Sequence, residues 1–180
     1  MKVEEKNWSK TLLVSYAHLE TICGAIDKTV LGCGLSSCNT YCDAEYVANK
    51  MINLIERKKF LINLKVLVDK ALSKIKTSFS RVLMLKYIDG VDSKLASEVM
   101  KISTRTYFRQ INSGLESFWQ ALLNMGYSII TLKDLLKDEN WILEIYNSYS
   151  KKTNDEKDIQ NLGFLGLALK QYKQSNVSIA

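Results

Sequence analysis

Hydrophobic residues recur at helical spacing along most of the chain. In the segment from Trp8 to Val30 they are alternately four and three residues apart, the spacing that places side chains on one face of a helix. A second segment, from about Ala44 to Ile75, has the same rhythm. Residues 32–43, which separate the two, are rich in residues that form turns and helix caps. The pattern predicts two long antiparallel helices joined by a loop.

Lys58 and Lys65 interrupt the apolar stripe of the second helix. A hairpin that packs only within the chain and a hairpin that also pairs with a second copy both fit this pattern. A homodimer is therefore one open alternative.

Three shorter helices are predicted after the hairpin. The first covers Phe79 to Ile88, the second about Asp92 to Lys101, and the third begins after Ser103 and ends near Met125. A glycine follows the first and the third, which favours termination there. Because Ser103 precedes the third helix, its hydroxyl can cap the exposed amides of the first turn.

The second and third of these helices have the pattern of a helix-turn-helix motif, in which the N-terminal residues of the second helix enter the major groove of DNA. Ser97 is the small residue required where the helices touch. The inner face of the third helix carries apolar anchors at Tyr107, Ile111, Leu115, Phe118 and Leu122. Lys101 stands where such motifs usually place glycine, so the turn must accept a left-handed lysine or differ slightly in geometry.

The polar residues of the third helix are of the types that read base edges. Arginine can bond guanine bidentately, glutamine can bond adenine, and threonine can bond a base or a phosphate. The residues on or beside the outward face are Thr104, Arg105, Thr106, Arg109, Gln110 and Ser113. Ser103 and Lys101, at the start of the helix, belong to the same candidate surface. Basic residues suited to phosphate contacts are Lys74, Lys76, Arg81, Lys86 and Lys94.

The charge is concentrated in this part of the chain. Of a net charge of +6, residues 74–112 carry +5 by residue count. A localised basic segment is typical of a nucleic-acid contact, although a solvated helix face produces similar counts.

The stretch from Arg81 to Phe118, RVLMLKYIDGVDSKLASEVMKISTRTYFRQINSGLESF, resembles region 4 of bacterial sigma factors. It is more closely similar to phage and prophage regulators of the autolysin-regulator (ArpU-like) type, through KYIDG before the motif, IS-x-R-TY-x-R opening the recognition helix, and the trailing LESF. The resemblance implies a transcriptional regulator of promoter DNA, with Thr104 to Thr106, Arg109 and Gln110 at recognition positions. It covers about the middle fifth of the chain.

Two alternatives stay open beside this reading. One is a sigma-like factor that recruits RNA polymerase, although residues 1–73 contain no recognisable core-binding or −10-reading region. The other is a helical protein-interaction module without DNA binding. Double-stranded DNA, RNA polymerase and a second copy of the chain are thus the candidate partners.

Composition supports an all-α fold, because proline is absent and glycine numbers only 8. We expect a helical hairpin over residues 1–76, a DNA-binding unit over 77–126 and a helical extension over 127–180. In the extension, a helix capped by Thr131 with Asp134 should run to about Tyr149, and another should cover Ile159 to Tyr172. The charged N-terminal decapeptide and the lack of a long apolar run predict a cytoplasmic protein.

The four cysteines raise the question of a metal. Cys23, Cys33, Cys38 and Cys42 lie near the single histidine, His18, but their spacing differs from the paired spacing of zinc sites. We therefore expect free thiols and no cofactor, with a redox or metal switch as the alternative. No arrangement of catalytic type or phosphate-binding glycine loop is present, so we expect no enzyme.

Overall fold

The computed structural model describes residues 1–37 and 43–151, and these residues form helices without any strand. The predicted all-α class is confirmed. The helices are α1 (Val3–Ser37), α2 (Ala44–Ser73), α3 (Thr77–Leu83), a π-helical turn (Met84–Ile88), α4 (Ser93–Val99), α5 (Thr104–Asn124), α6 (Ile129–Leu135) and α7 (Asn140–Lys151).

Polar contacts along one edge of the predicted hairpin fix the register of α1 against α2. Each successive contact lies further from the loop by the same number of residues on α1 as on α2, so the two helices are antiparallel. The contacting pairs are Asp27 with Lys58, Glu20 with Lys65, and Tyr16 with Asp69. The two lysines that interrupt the apolar stripe of α2 therefore pair with acidic residues of α1.

The loop between the long helices was predicted too early in the chain. Residues 32–37 continue α1 as helix, and residues 38–42 lie outside the described part. A glycine inside a helix lowers its stability by about 1 kcal/mol but keeps every backbone hydrogen bond. A proline removes one of these bonds and usually ends or kinks the helix. Since the chain has no proline, two glycines in this segment do not end the helix.

The first half of α1 runs through the centre of the molecule. Residues 8–15 are buried on every side of the helix, and α1 contacts α2, α5, α7 and the π-helical turn. Buried hydroxyls in this stretch bond to the preceding turn: Ser9 Oγ donates to the carbonyl of Glu5, and Thr11 Oγ1 to that of Asn7. A helix surrounded by other helices needs a largely apolar surface on all sides, and most of this segment has one. Trp8 Nε1 and Ser15 Oγ are exceptions, because they are buried without a partner among the described residues.

The helices around the predicted DNA-binding unit are close to their expected positions. The helix predicted over Phe79 to Ile88 is α3 followed by the π-helical turn, and Gly90 ends it in a left-handed conformation (φ 65°). All five anchors predicted for the inner face of α5 are buried. Gly114 lets α5 approach α3, where a Cβ would lie 3.3 Å from Leu83 Cγ.

The single helix predicted to end near Tyr149 is wrong, because residues 136–139 separate α6 from α7. Ser128 caps α6 by accepting from the Thr131 amide at 3.3 Å, so Thr131 is not the cap. The chain turns where Glu139 points inward and accepts two hydrogen bonds from Arg57, both at 2.9 Å. The helix predicted over residues 159–172 lies outside the described part.

The buried apolar side chains of all these elements form one hydrophobic core. Nothing in the contacts decides whether residues 1–76, 77–126 and 127–180 act as separate units, so that division stays a prediction. Over residues 1–37 and 43–151, none of the helices is both long and apolar enough to span a membrane.

Candidate nucleic-acid interface

The turn between α4 and α5 is closed by backbone hydrogen bonds. Lys101 has φ 54°, and it is the only residue other than glycine with positive φ in the described part of the chain. Its amide donates to the Glu98 carbonyl and the Ile102 amide to the Ser97 carbonyl, both at 3.0 Å. This pair of bonds is a Schellman motif, which normally has glycine at the left-handed position. The predicted helix-turn-helix turn therefore forms, with lysine in the strained place.

Ser97 lies where α4 and α5 touch. Its side chain is buried, and its Oγ donates to the Lys94 carbonyl at 2.8 Å and lies 3.5 Å from Thr104 Oγ1. A larger side chain would separate the two helices. The small residue that the motif requires is thus in the expected position.

Ser103 caps α5 as predicted. Its Oγ accepts from the Thr106 amide at 3.2 Å and lies 2.9 Å from the Thr106 hydroxyl. The next inward residue, Tyr107, is fully buried and its hydroxyl has no partner among the described residues. Burial, with the charge of Asp92, raises the pKa of Tyr107, so this hydroxyl stays protonated at neutral pH. These contacts fix the start of α5 and the direction of its outer face.

Arg105 and Arg109 lie on that outer face, one helical turn apart. Both side chains are exposed, and within the described residues neither forms a hydrogen bond or an ion pair. Residues four apart on a helix are surface neighbours, about 5–6 Å between Cβ atoms. The first two turns of α5 therefore present two unpaired guanidinium groups to solvent.

The other predicted base-reading residues are less exposed. Thr104 is exposed but close to Ser97, and Thr106 is half-buried with its hydroxyl against Ser103. Gln110 is half-buried, and its Oε1 is buried without a partner in the described structure. Ser113, also half-buried, lies in the third turn.

Most of the predicted phosphate-contacting residues are exposed. Lys94 in α4, Lys101 in the turn and Arg81 in α3 have exposed side chains. Lys74 and Lys76 are also exposed, but they line a cleft with residues 116–124, in the C-terminal half of α5 and away from its first two turns. Lys86 differs, because it is half-buried in the π-helical turn.

One contact of α5 that the sequence did not predict is made by the start of the chain. The N-terminus of the chain borders the third turn of α5: Lys6 Nζ donates to Asn112 Oδ1 at 2.9 Å, and the Met1 amine lies 3.6 Å from Glu116. Because these contacts join residues more than a hundred positions apart, no local pattern encodes them. They place the start of α1 beside the outer face of α5, beyond its first two turns.

Phe108 was not among the residues that the sequence predicted for this surface. It is 42% exposed in the first two turns of α5, three positions after Arg105. The sequence contains an indication of its exposure, because Phe108 does not share the apolar spacing of Tyr107 and Ile111 on the inner face of α5.

The structure offers no metal site in the part it describes. There, no group of three or more histidine, cysteine, aspartate or glutamate side chains is arranged to hold an ion. Cys23 and Cys33 are free thiols, and burial raises the pKa of Cys23. Cys38 and Cys42 lie outside the described residues.

A comparison of the chain with protein-family models, curated proteins and solved structures gives no match. Two unpaired arginines on a capped helix, with the exposed Lys94 and Lys101 near its start, are suited to non-covalent binding of a polyanion.

Proposed function

We propose that this protein is a sequence-specific DNA-binding transcriptional regulator that places the first two turns of α5 in the major groove. The observation that carries the proposal is the pair of exposed, unpaired guanidinium groups of Arg105 and Arg109 on a helix whose start is fixed by a Schellman turn and a serine cap. A major groove about 12 Å wide admits one helix, and arginine is the side chain most often used to read guanine there.

The basic residues around α5 supply contacts of a second kind. Lys94, Lys101 and Arg81 are exposed, and lysine or arginine near the groove neutralises phosphates without reading sequence. Affinity should therefore fall steeply with salt. Substitution of one phosphate-contacting lysine should reduce the slope of log affinity against log salt by about 1 and leave sequence preference unchanged.

The proposal is tested by binding of the full-length protein to fragments of the genome that encodes it, at near-physiological salt, followed by sequencing of the retained DNA. We expect a few enriched sites that share a short motif. Arg105→Ala and Arg109→Ala should each lower affinity for that motif by about 1–3 kcal/mol and relax the preference at one base pair.

Lys28→Ala is the matched control, because it removes one positive charge from an exposed position on α1 that is not part of the α5 surface. It should leave binding unchanged. Retention that is uniform across the genome, or arginine variants that bind like the control, would refute sequence-specific recognition by α5.

The exposed side of α2 favours a second candidate, a helical module that binds proteins. Within its described surface, four large apolar side chains at heptad-like spacing face solvent: Ile52, Ile55, Ile62 and Val66. Sedimentation of the wild type and of Ile55→Glu with Ile62→Glu distinguishes the two. Self-association abolished by these substitutions, in a protein that retains no DNA, would favour the interaction module.

A cytoplasmic location accompanies the proposal, because the protein must reach DNA. The sigma-like alternative requires direct binding to RNA polymerase core, which co-elution of the purified proteins would detect. A regulator that only occupies its site would not co-elute.

A further inference from the structure

Phe108 is the one large apolar side chain exposed on the first two turns of α5 in the described structure. It is 42% exposed, while its neighbour Tyr107 is fully buried and meets its ring edge-on with the centroids 5.9 Å apart. The other exposed residues of these two turns, Thr104, Arg105 and Arg109, are polar or charged.

A single exposed phenylalanine is common on protein surfaces and carries no meaning alone. The position of this ring is what matters. Phe108 is three positions after Arg105, so the two side chains are surface neighbours on the helix. A DNA groove that receives Arg105 therefore has the exposed part of the ring at the side of the same helical turn.

The chemistry of the ring decides what it can contact there. Phenylalanine has no hydrogen-bond donor or conventional acceptor, so it cannot pair with the polar atoms of a base edge. The apolar group that base pairs present in the major groove is the C5-methyl of thymine. We propose that Phe108 contacts the methyl group of one thymine and so helps determine which DNA sequence is bound. This inference rests on the proposed function.

The helix geometry also sets where that thymine lies. Phe108 is about 4.5 Å further along the axis of α5 than Arg105, at roughly 1.5 Å per residue. Successive base pairs are about 3.4 Å apart. The thymine should therefore lie within about one or two base pairs of the guanine bound by Arg105.

Deoxyuridine tests the contact directly, because it differs from thymidine only by the missing methyl group. The probes are duplexes of the sequence that the full-length protein enriches from genomic fragments, with each thymine replaced in turn by deoxyuridine. At one thymine we expect wild-type affinity to fall roughly fourfold, the change that corresponds to about 0.8 kcal/mol for one buried methyl group. Phe108→Ala should bind the thymine and deoxyuridine probes equally well.

Leu123→Ala is the matched control. Leu123 is an exposed apolar residue of the same helix, 39% exposed and about 22 Å from Phe108 along the axis. This variant should discriminate thymine from deoxyuridine as the wild type does. If Phe108→Ala does not fold, as judged by circular dichroism, Phe108→Gln replaces it, since glutamine favours helix and keeps a long side chain.

The outcomes separate the inference from the proposed function. A wild type that binds its motif but tolerates deoxyuridine at every thymine overturns the thymine contact and leaves the regulator in place. Equal sensitivity of wild type and Phe108→Ala assigns the methyl contact to another residue and also overturns the inference. Failure to enrich any motif overturns the proposed function itself.

Discussion

Lys101 closes the helix-turn-helix turn in a backbone conformation that lysine rarely adopts. At φ 54° its Cβ crowds the following carbonyl oxygen, at a cost of about 1–2 kcal/mol relative to an ordinary helical conformation. The two Schellman hydrogen bonds, from Lys101 and Ile102, hold it there. Its exposed side chain points the amine toward solvent beside the start of α5, where a phosphate contact is proposed.

We predict that Lys101→Gly stabilises the protein by about 1 kcal/mol, because glycine adopts positive φ without the Cβ penalty. The measurement is the free energy of unfolding in urea. Lys101→Ala removes the same amine but keeps a Cβ, so it should not stabilise. Equal stability of the two variants would show that the backbone at this position carries no strain.

His18 should make the stability of the protein depend on pH. It is half-buried in α1, and burial lowers the pKa of its imidazole from the usual 6.5 because the charged form is poorly solvated. The unfolded chain then binds more protons than the folded one as the pH falls. The stabilisation is complete above about pH 6.5 and is lost as the pH falls through the lowered pKa.

We predict that acidification from neutral pH destabilises His18→Gln less than the wild type. Urea unfolding of both proteins at neutral and mildly acidic pH measures the difference. Carboxylates titrate in both proteins, so their effect on the free energy of unfolding cancels in the comparison. The same loss of stability in both would exclude His18 as a source of the pH dependence.

At the scale of elements, the close contact between α3 and α5 requires a residue without a side chain at position 114. A Cβ on Gly114 would lie 3.3 Å from Leu83 Cγ and 3.4 Å from Phe79 Cβ. This contact lies in the third turn of α5, one turn beyond the reading surface, and holds α5 against α3.

We predict that Gly114→Val destabilises the protein by about 2 kcal/mol through overpacking. Thermal unfolding of the variant measures the loss. Gln120→Val places the same β-branched residue at an exposed position of α5 and isolates its lower helix propensity. A loss no larger than that of the control would mean that α3 moves away from α5 at little cost.

At the scale of the whole molecule, α1 belongs to the hairpin and also packs against helices outside it. Trp8 stacks on Tyr146 of α7 with ring centroids 4.3 Å apart, and Lys10 lies over the ring of Tyr149. The same helix also contacts α5 and the π-helical turn. The described part of the C-terminal extension therefore packs against the helix that also supports the candidate DNA-binding unit.

The ion pair between Arg57 and Glu139 joins α2 to the turn before α7. The Glu139 side chain is only 5% exposed, and it also accepts from Trp141 Nε1 at 2.7 Å. We predict that Glu139→Ala costs about 2 kcal/mol, because it leaves a partly buried guanidinium without its partner. Glu144→Ala, at an exposed position of α7, should be near neutral in the same urea experiment.

The sequence by itself determined the features that depend on local chemistry. Apolar spacing and the absence of proline were sufficient for an all-α fold and for the inner face of α5. The cap at Ser103 followed from the chemistry of one turn, whereas the left-handed conformation of Lys101 was one of two alternatives that the sequence left open. Helices, caps and turns are stabilised within a few residues, so a single sequence contains the information that sets them.

The tertiary structure decided the features that depend on distant contacts. The break between α6 and α7 follows an inward glutamate held by an arginine far earlier in the chain, so the periodicity of that segment could not reveal it. The placement of the N-terminus beside Asn112 and Glu116 likewise joins opposite parts of the chain. Local periodicity shows which face of a helix is apolar, but only packing decides what covers that face and which side chains remain exposed.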